Sequence, residues 1–358
     1  MKSAPNFRVV VLKHDYVSVE HERRIVTAEG GEFVDAENMT EVEMLRLCEQ
    51  ADGILVRWVK VGSNLIKRLS RCRIIVRYGV GTDNVDVNAA TEAGIIVGHV
   101  PHYCTDEVAT HAIALLLACV RNLLDAQKKM ERGVWELNPT ERLWRMNERT
   151  LGLVGFGCIG QAVARKMSGW GLRLLASDPY VDAVRADALG VKLVDLETLC
   201  RESDYVSLHV PLLPETRHLL NARTLALIKP GAILINTARG QVLDTEALLT
   251  ALESGRIAKA GLDVFDEEPL PATSPLRAHP RMIVTNHVAW YSEESQTELQ
   301  VTAAEEAVRV CTGGLPHSLT NPEVLHRLGR FADWTPSDNV RWRLIRLERL
   351  SRSDGTYA

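Results

Sequence analysis

The sequence predicts an α/β fold built from two doubly wound parallel sheets. Three observations carry that prediction. Short β-branched apolar runs alternate with helix-patterned stretches along most of the chain, which is the rhythm of parallel strands joined by crossover helices. With 358 residues, the chain is too long for one ordinary α/β domain and suits two. The alternation also runs twice, before and after an almost wholly apolar helix-patterned segment at about 106–130.

In the first series, strands are expected at 8–12, 53–56, 73–76 and 95–97. Helices are expected at 41–50 and 64–69, the second with Ser63 as its N-cap. The segment 106–130 is apolar on all sides, which predicts burial between layers or subunits. The second series has strands at 150–155, 173–177, 192–194, 205–209, 232–236, 259–262 and 282–285, with helices such as 160–170 and 246–254 between them. A last long helix is expected at 293–311. From about residue 325 the pattern breaks, and the tail carries the basic stretch VRWRLIRLERLSRS.

Composition excludes several classes of function. A formal charge of −4 gives no reason to expect nucleic acid or a membrane surface as partner. The longest clean apolar run, Ala112 to Val120, is far short of the ~20 residues that span a bilayer. The N-terminal stretch holds no signal-peptide core, since its apolar run VVVL is only strand-sized. Seven cysteines without a CxxC pair suit a reduced, cytoplasmic protein.

One local motif points to chemistry. Gly155-Phe-Gly157-Cys158-Ile159-Gly160 follows the strand-like LGLV and opens a helix. The first glycine permits a tight turn, the second lets backbone approach a pyrophosphate, and the third lets helix and strand pack closely. The open N–H groups of the helix start attract phosphate. Asp178 ends the next strand, where a carboxylate accepts both ribose hydroxyls and repels a 2′-phosphate, which favours NAD over NADP.

Further stretches follow in one order: RYGVGTDNVDV (77–87), DPY (178–180), LHVPLLPETRHLLN (208–221), KPGAILINTARGQVLD (229–244), GLDVFDEEP (261–269) and NHVAWYS (286–292). Through them the chain resembles the D-isomer-specific 2-hydroxy-acid dehydrogenases over roughly residues 50 to 322. That family includes D-3-phosphoglycerate dehydrogenase, glyoxylate/hydroxypyruvate reductases and the C-terminal-binding-protein corepressors. The resemblance implies a Rossmann-type NAD-binding domain, 103–288, inserted into a flavodoxin-like substrate domain made of 1–102 plus 289–325. It implies a cleft between them as active site, and it leaves 326–358 as a C-terminal tail. The substrate it implies is a small 2-hydroxy or 2-keto acid. A homodimer through the cofactor domain is the family's usual state, with 106–130 as the natural surface.

The resemblance also assigns residues. His287 corresponds to the acid/base, Glu268 to its orienting partner, with Glu267 and Asp266 as adjacent competitors, and Arg239 to the arginine that grips the substrate carboxylate. His209, Val210, Pro211 and Thr216 correspond to the stretch beside adenine and ribose, Thr237 and Ala238 to the stretch under the nicotinamide, and Asp263 to the acceptor of its carboxamide. Val80 and Gly81 match the substrate-carboxylate loop. Without the family, an ordinary His, an acidic loop, a solvated Arg and a plain turn would be the simpler readings.

Four departures stand out. Trp58 follows Arg57 where relatives have Ser, which argues against phosphoglycerate as substrate while leaving Arg57 able to bind an anion. Cys158 replaces a cation in the glycine motif, and Thr110 stands where an acid is usual. Ala289-Trp290-Tyr291-Ser292 is closest to the corepressor branch, so Trp290 reaches the substrate pocket or fills core. The alternative function is accordingly an NAD(H)-sensing binding protein of corepressor type. His99, His102 and Cys104 lack a fourth ligand, so no metal is expected and the stretch is read as a hinge.

Overall fold

Val9, Val10, Val11 and Leu12 are fully buried, as are Ile54 to Val56 and Ile74 to Val76. Such unalternating runs form strands covered by helices on both faces. The computed structural model describes residues 6–136 and 143–330. The chain divides into two compact units, one running up to Tyr103 and resuming at Glu293, the other spanning Cys104–Ser292.

In the first unit β1 (Arg8–Val11), β2 (Glu32–Asp35), β3 (Gly53–Val56), β4 (Ile74–Arg77) and β5 (Ile96–His99) form a wholly parallel sheet in the order β2-β1-β3-β4-β5. The crossovers carry α1 (Glu20–Ala28), α2 (Glu41–Glu49), α3 (Ser63–Ile66) and α4 (Val87–Ala93). This strand order is the flavodoxin-like doubly wound one. Thr40 closes a capping box on α2, its hydroxyl accepting from Glu43 N–H while the Glu43 carboxylate takes the Thr40 N–H.

In the second unit α5 (Thr105–Val120) and α6 (Leu123–Glu131) precede β6 (Thr150–Val154), α7 (Cys158–Lys166), β7 (Arg173–Ser177), α8 (Ala183–Asp187), β8 (Val191–Leu193), α9 (Leu196–Glu202), β9 (Tyr205–Leu208), α10 (Ala222–Leu227), β10 (Ala232–Asn236), α11 (Thr245–Glu253), β11 (Ile257–Leu262) and β12 (Met282–Val284). The seven strands are all parallel, in the order β12-β11-β10-β9-β6-β7-β8. This is the Rossmann order with β12 added at one edge, and its direction reverses between β6 and β9. α12 (Glu293–Cys311) belongs to the first unit, where it packs on α1, β3 and β4.

Some elements differ from the sequence reading. The helix expected at 106–130 is two helices bent by 60°. The break falls at Asn122, whose left-handed φ of 51° asparagine tolerates better than most residues. α3 starts at Ser63, Gly62 holds the N-cap place, and no side chain caps the helix. β2, with sequence EFVD, is an edge strand and only half-buried, so it carries no apolar run to read. Leu328 is buried, so packing reaches the first residues of the segment read as tail. The basic stretch at 340–353 lies outside the described residues. Among the described residues no single helix is long and apolar enough to cross a membrane.

Candidate active site

A parallel sheet brings all its strand exits to one edge, and in doubly wound folds the ligand crevice opens there, where the strand order reverses. In the second unit that point lies between the exits of β6 and β9. Gly155 leaves β6 with φ +92°, and a Cβ on it would sit 2.8 Å from the backbone of His209 and Val210. On Gly160, a Cβ would stand 2.4 Å from the Gly155 carbonyl oxygen. Gly157 is different, because a Cβ there meets nothing within 4 Å. Two glycines thus serve internal packing, and the middle one opens outward, as a site for a pyrophosphate requires. Cys158 is exposed as the first residue of α7, with the half-buried Ile159 packed on the core behind it.

Asp178 follows β7 and is pinned beside this turn. One carboxylate oxygen accepts from Phe156 N–H at 2.8 Å and the other from Tyr180 N–H at 2.9 Å. Across the reversal, His209 keeps both ring nitrogens buried without a hydrogen-bond partner, and burial pushes its pKa down to about 4. The buried Thr237 hydroxyl also has no partner. Buried orphan polar atoms are rare in native proteins unless a ligand or water meets them, so these two fit a bound dinucleotide. Thr216 instead closes its own loop, donating to Pro211 O at 2.6 Å and accepting from Leu213 N–H at 2.8 Å.

Arg239, Glu268 and His287 converge at the exits of β10, β11 and β12. Asn236, fully buried, donates to Arg239 O and accepts from Ala238 N–H, which shapes the turn carrying the arginine. Gly240 lets that turn touch the next loop, since a Cβ would lie 1.9 Å from Phe265 C and 2.4 Å from Asp266 N. His287 Nδ1 and Glu268 Oε2 are 2.6 Å apart, and Glu268 Oε1 accepts from Phe265 N–H at 2.9 Å. A carboxylate can only accept, so Nδ1 carries the proton of this pair. Burial opposes the charge on Glu268, but the His287 hydrogen bond and charge, the Phe265 N–H and the Arg239 guanidinium together hold its carboxyl below the usual range. Of its two competitors, Asp266 accepts from the Thr245 hydroxyl at 2.7 Å and Glu267 is exposed.

His287 adopts φ +57°, a left-handed conformation that costs a non-glycine residue about 1 kcal/mol and persists only when its surroundings impose it. Asp263 imposes it. Its carbonyl accepts from His287 N–H at 2.9 Å, while its fully buried carboxylate accepts from Val288 N–H at 3.0 Å and Ala289 N–H at 2.9 Å. Sequence reasoning named Asp263 for the cofactor but missed this holding role, and it missed Asn236, Gly240 and Thr285 altogether. The only local signal was a polar or glycine residue at each strand exit. Trp290 stacks edge-on against Tyr291 at 5.5 Å. Arg57, Val80 and Gly81 lie after β3 and β4 in the first unit. The Arg57 guanidinium is buried over the Tyr16 ring, its Nε 2.9 Å from Asp15, and the Trp58 indole also reaches Asp15.

The second unit thus has the order, glycine turn and strand-end acid of a dinucleotide-binding domain. Residues 113–289 match the family described as "D-isomer specific 2-hydroxyacid dehydrogenase, NAD binding domain". D-3-phosphoglycerate dehydrogenase of Methanocaldococcus jannaschii is 38% identical over 304 residues, covering 84% of this chain and 58% of that protein. Glyoxylate reductase of Korarchaeum cryptofilum is 38% identical over 291 residues, covering 79% of this chain and 86% of that protein. The crystal structure of the TT0316 protein from Thermus thermophilus superposes with a TM-score of 0.78 at 34% identity, covering 87% of this chain and 99% of that one. The chain belongs to the D-isomer-specific 2-hydroxyacid dehydrogenase family, and its NAD-binding domain is the second unit. It spans little more than half the length of the phosphoglycerate dehydrogenases it matches, 58% and 53% for the first two.

Proposed function

We propose that this protein is an NAD-dependent dehydrogenase that interconverts a small D-2-hydroxy acid and its 2-keto acid. The observation that carries this reading is the 2.6 Å His287–Glu268 pair beside Arg239, at the strand exits of an NAD-binding domain. When bound, NAD supplies or takes the hydride at its nicotinamide ring. Every other step falls to the chain. Arg239 grips the substrate carboxylate with its planar fork and polarises the adjacent carbonyl. In reduction, His287 gives the Nε2 proton to the keto oxygen, and in oxidation it takes that proton back. Glu268 accepts from Nδ1–H, fixes the tautomer and stabilises the imidazolium that forms in oxidation.

Cofactor contacts fall to Gly155, Gly157, Cys158, Ile159, Gly160, Asp178, His209, Val210, Pro211, Thr216, Thr237, Ala238 and the remaining acceptor capacity of Asp263. Asp178 selects NAD over NADP. Arg57, Val80, Gly81 and Trp290 are the substrate contacts. With Trp58 beside Arg57, unphosphorylated acids such as glyoxylate suit the site better than phosphoglycerate. The substrate domain is the first unit, and the working form is a homodimer.

The test is NADH oxidation with glyoxylate, hydroxypyruvate and pyruvate, by wild type and His287→Ala. Loss of general acid–base catalysis lowers kcat by about 10²–10⁴-fold. Equal rates for the two proteins would sink the mechanism. NAD binding with no turnover on any of the three would favour the binding-protein alternative, to which the relatives, named as dehydrogenases and reductases, lend no support.

A further inference from the structure

The left-handed turn at His287 rests on Asp263, and Asp263 rests on a residue distant in sequence. Besides the Val288 and Ala289 amides, the Asp263 carboxylate accepts from the Thr285 hydroxyl at 2.5 Å. Having given its proton to Asp263, Thr285 Oγ1 can only accept from its other neighbour, His111 Nε2, at 3.0 Å. His111 is thereby fixed as the Nε2–H tautomer. Its Nε2 also stands 3.7 Å from Asp263 Oδ1.

The fold brings His111 there for a reason visible in the packing. Gly261 on β11 has no side chain, and a Cβ on it would lie 3.0 Å from Leu115 Cβ. α5 therefore sits close against that strand. His111 is one helical turn before Leu115, on the same face, and that face leads past the end of β11 towards Thr285.

We propose that His111 is a positioning residue, acting through Thr285 and Asp263 to hold the His287 imidazole in its working orientation. This rests on the dehydrogenase reading above for its catalytic consequence, although the coupling itself does not. A buried carboxylate keeps its orientation only while its donors stay in place. Without the Nε2–H donor, the Thr285 hydroxyl can turn away from Asp263, and the strained turn loses its support.

The experiment compares wild type, His111→Leu, His111→Gln and Thr285→Val as full-length chains, with two readouts. The first is steady-state reduction of glyoxylate by NADH. His111→Leu and Thr285→Val lower kcat by about tenfold, in line with misplacement rather than loss of a catalytic group. KM for glyoxylate stays within about twofold, and His111→Gln, whose amide can donate from the same place, recovers most of the rate. The second readout is the ring resonances of His287 by NMR, assigned with His287→Ala. They shift in His111→Leu and Thr285→Val and return in His111→Gln. Thr285→Val cuts the same link without touching α5, so a folding defect in one variant leaves the other to decide. Wild-type kcat together with unshifted His287 resonances in both variants would overturn the proposal. If the wild type turns over none of the 2-keto acids, the dehydrogenase reading fails, and the resonances alone decide whether His111 acts on His287.

Discussion

His209 makes a prediction of its own at the scale of a single side chain. Its buried, unpartnered ring has a pKa of about 4 in the folded protein, against about 6.5 for an unfolded histidine. Between those two values the unfolded chain binds more protons than the folded one, so stability rises with pH across the window. The shift corresponds to roughly 3 kcal/mol, recovered once pH exceeds about 6.5. In the absence of cofactor, the thermal midpoint of the wild type should climb between pH 4.5 and 6.5, and His209→Leu should flatten that climb. Parallel curves for the two proteins would show that His209 is not buried neutral. The same scale explains what could be read in advance. Arg239, Glu268 and His287 each sit in a contiguous family stretch, and the glycine turn carries its own steric logic. The support beneath them has no such pattern. His111 and Thr285 meet across 174 residues of sequence, and no periodicity reports a hydrogen bond of that span.

Strand exits are the elements that matter, and Gly240 is where two of them touch. The turn after β10 carries Arg239 and the loop after β11 carries Glu268, and Gly240 packs with its Cα against the backbone of Phe265 and Asp266. A methyl group there would meet backbone atoms at 1.9 to 2.4 Å, which no side-chain rotation relieves. Gly240→Ala should force the turn and the loop apart and separate the arginine from the acid–imidazole pair. A displacement of about 1 Å is enough to lower kcat/KM by about 10²-fold. NADH affinity, followed by nucleotide fluorescence, should change far less, because the Gly155 turn lies across the sheet. An alanine variant with wild-type kcat/KM would show that the two loops do not need this contact. Most strands were legible because they are buried on both faces and read as unbroken apolar runs. β2 and α1 were not, because EFVD is an edge strand and EHERRIVTA is largely charged. The bend after α5 was hidden because its one marker, Asn122, sits among good helix formers.

At the scale of the whole molecule, the bend divides the segment expected to carry a self-association surface into a buried half and an exposed half. The sequence assigned it to a single apolar helix at 106–130. Within the second unit, however, Val108, Ala112, Leu115, Leu116 and Cys119 of α5 are buried, several of them in the unit's own core. It is α6 and the residues after it that present apolar side chains to solvent, namely Leu123, Leu124, Met130, Val134 and Trp135, the last 86% exposed. Large apolar side chains left exposed within one short segment make it a candidate association site. The simplest closed assembly pairs the patch with itself across a two-fold axis. The wild type should therefore sediment as a dimer at micromolar concentration. Leu124→Asp combined with Trp135→Asp places two charges among these side chains, where a self-interface could not bury them unpaired, and should shift the protein to monomer. Far-UV circular dichroism and NADH binding should survive, since none of these side chains belongs to the glycine turn or the strand exits. A monomeric wild type, or a double variant still dimeric at the same concentration, would move the interface off this surface.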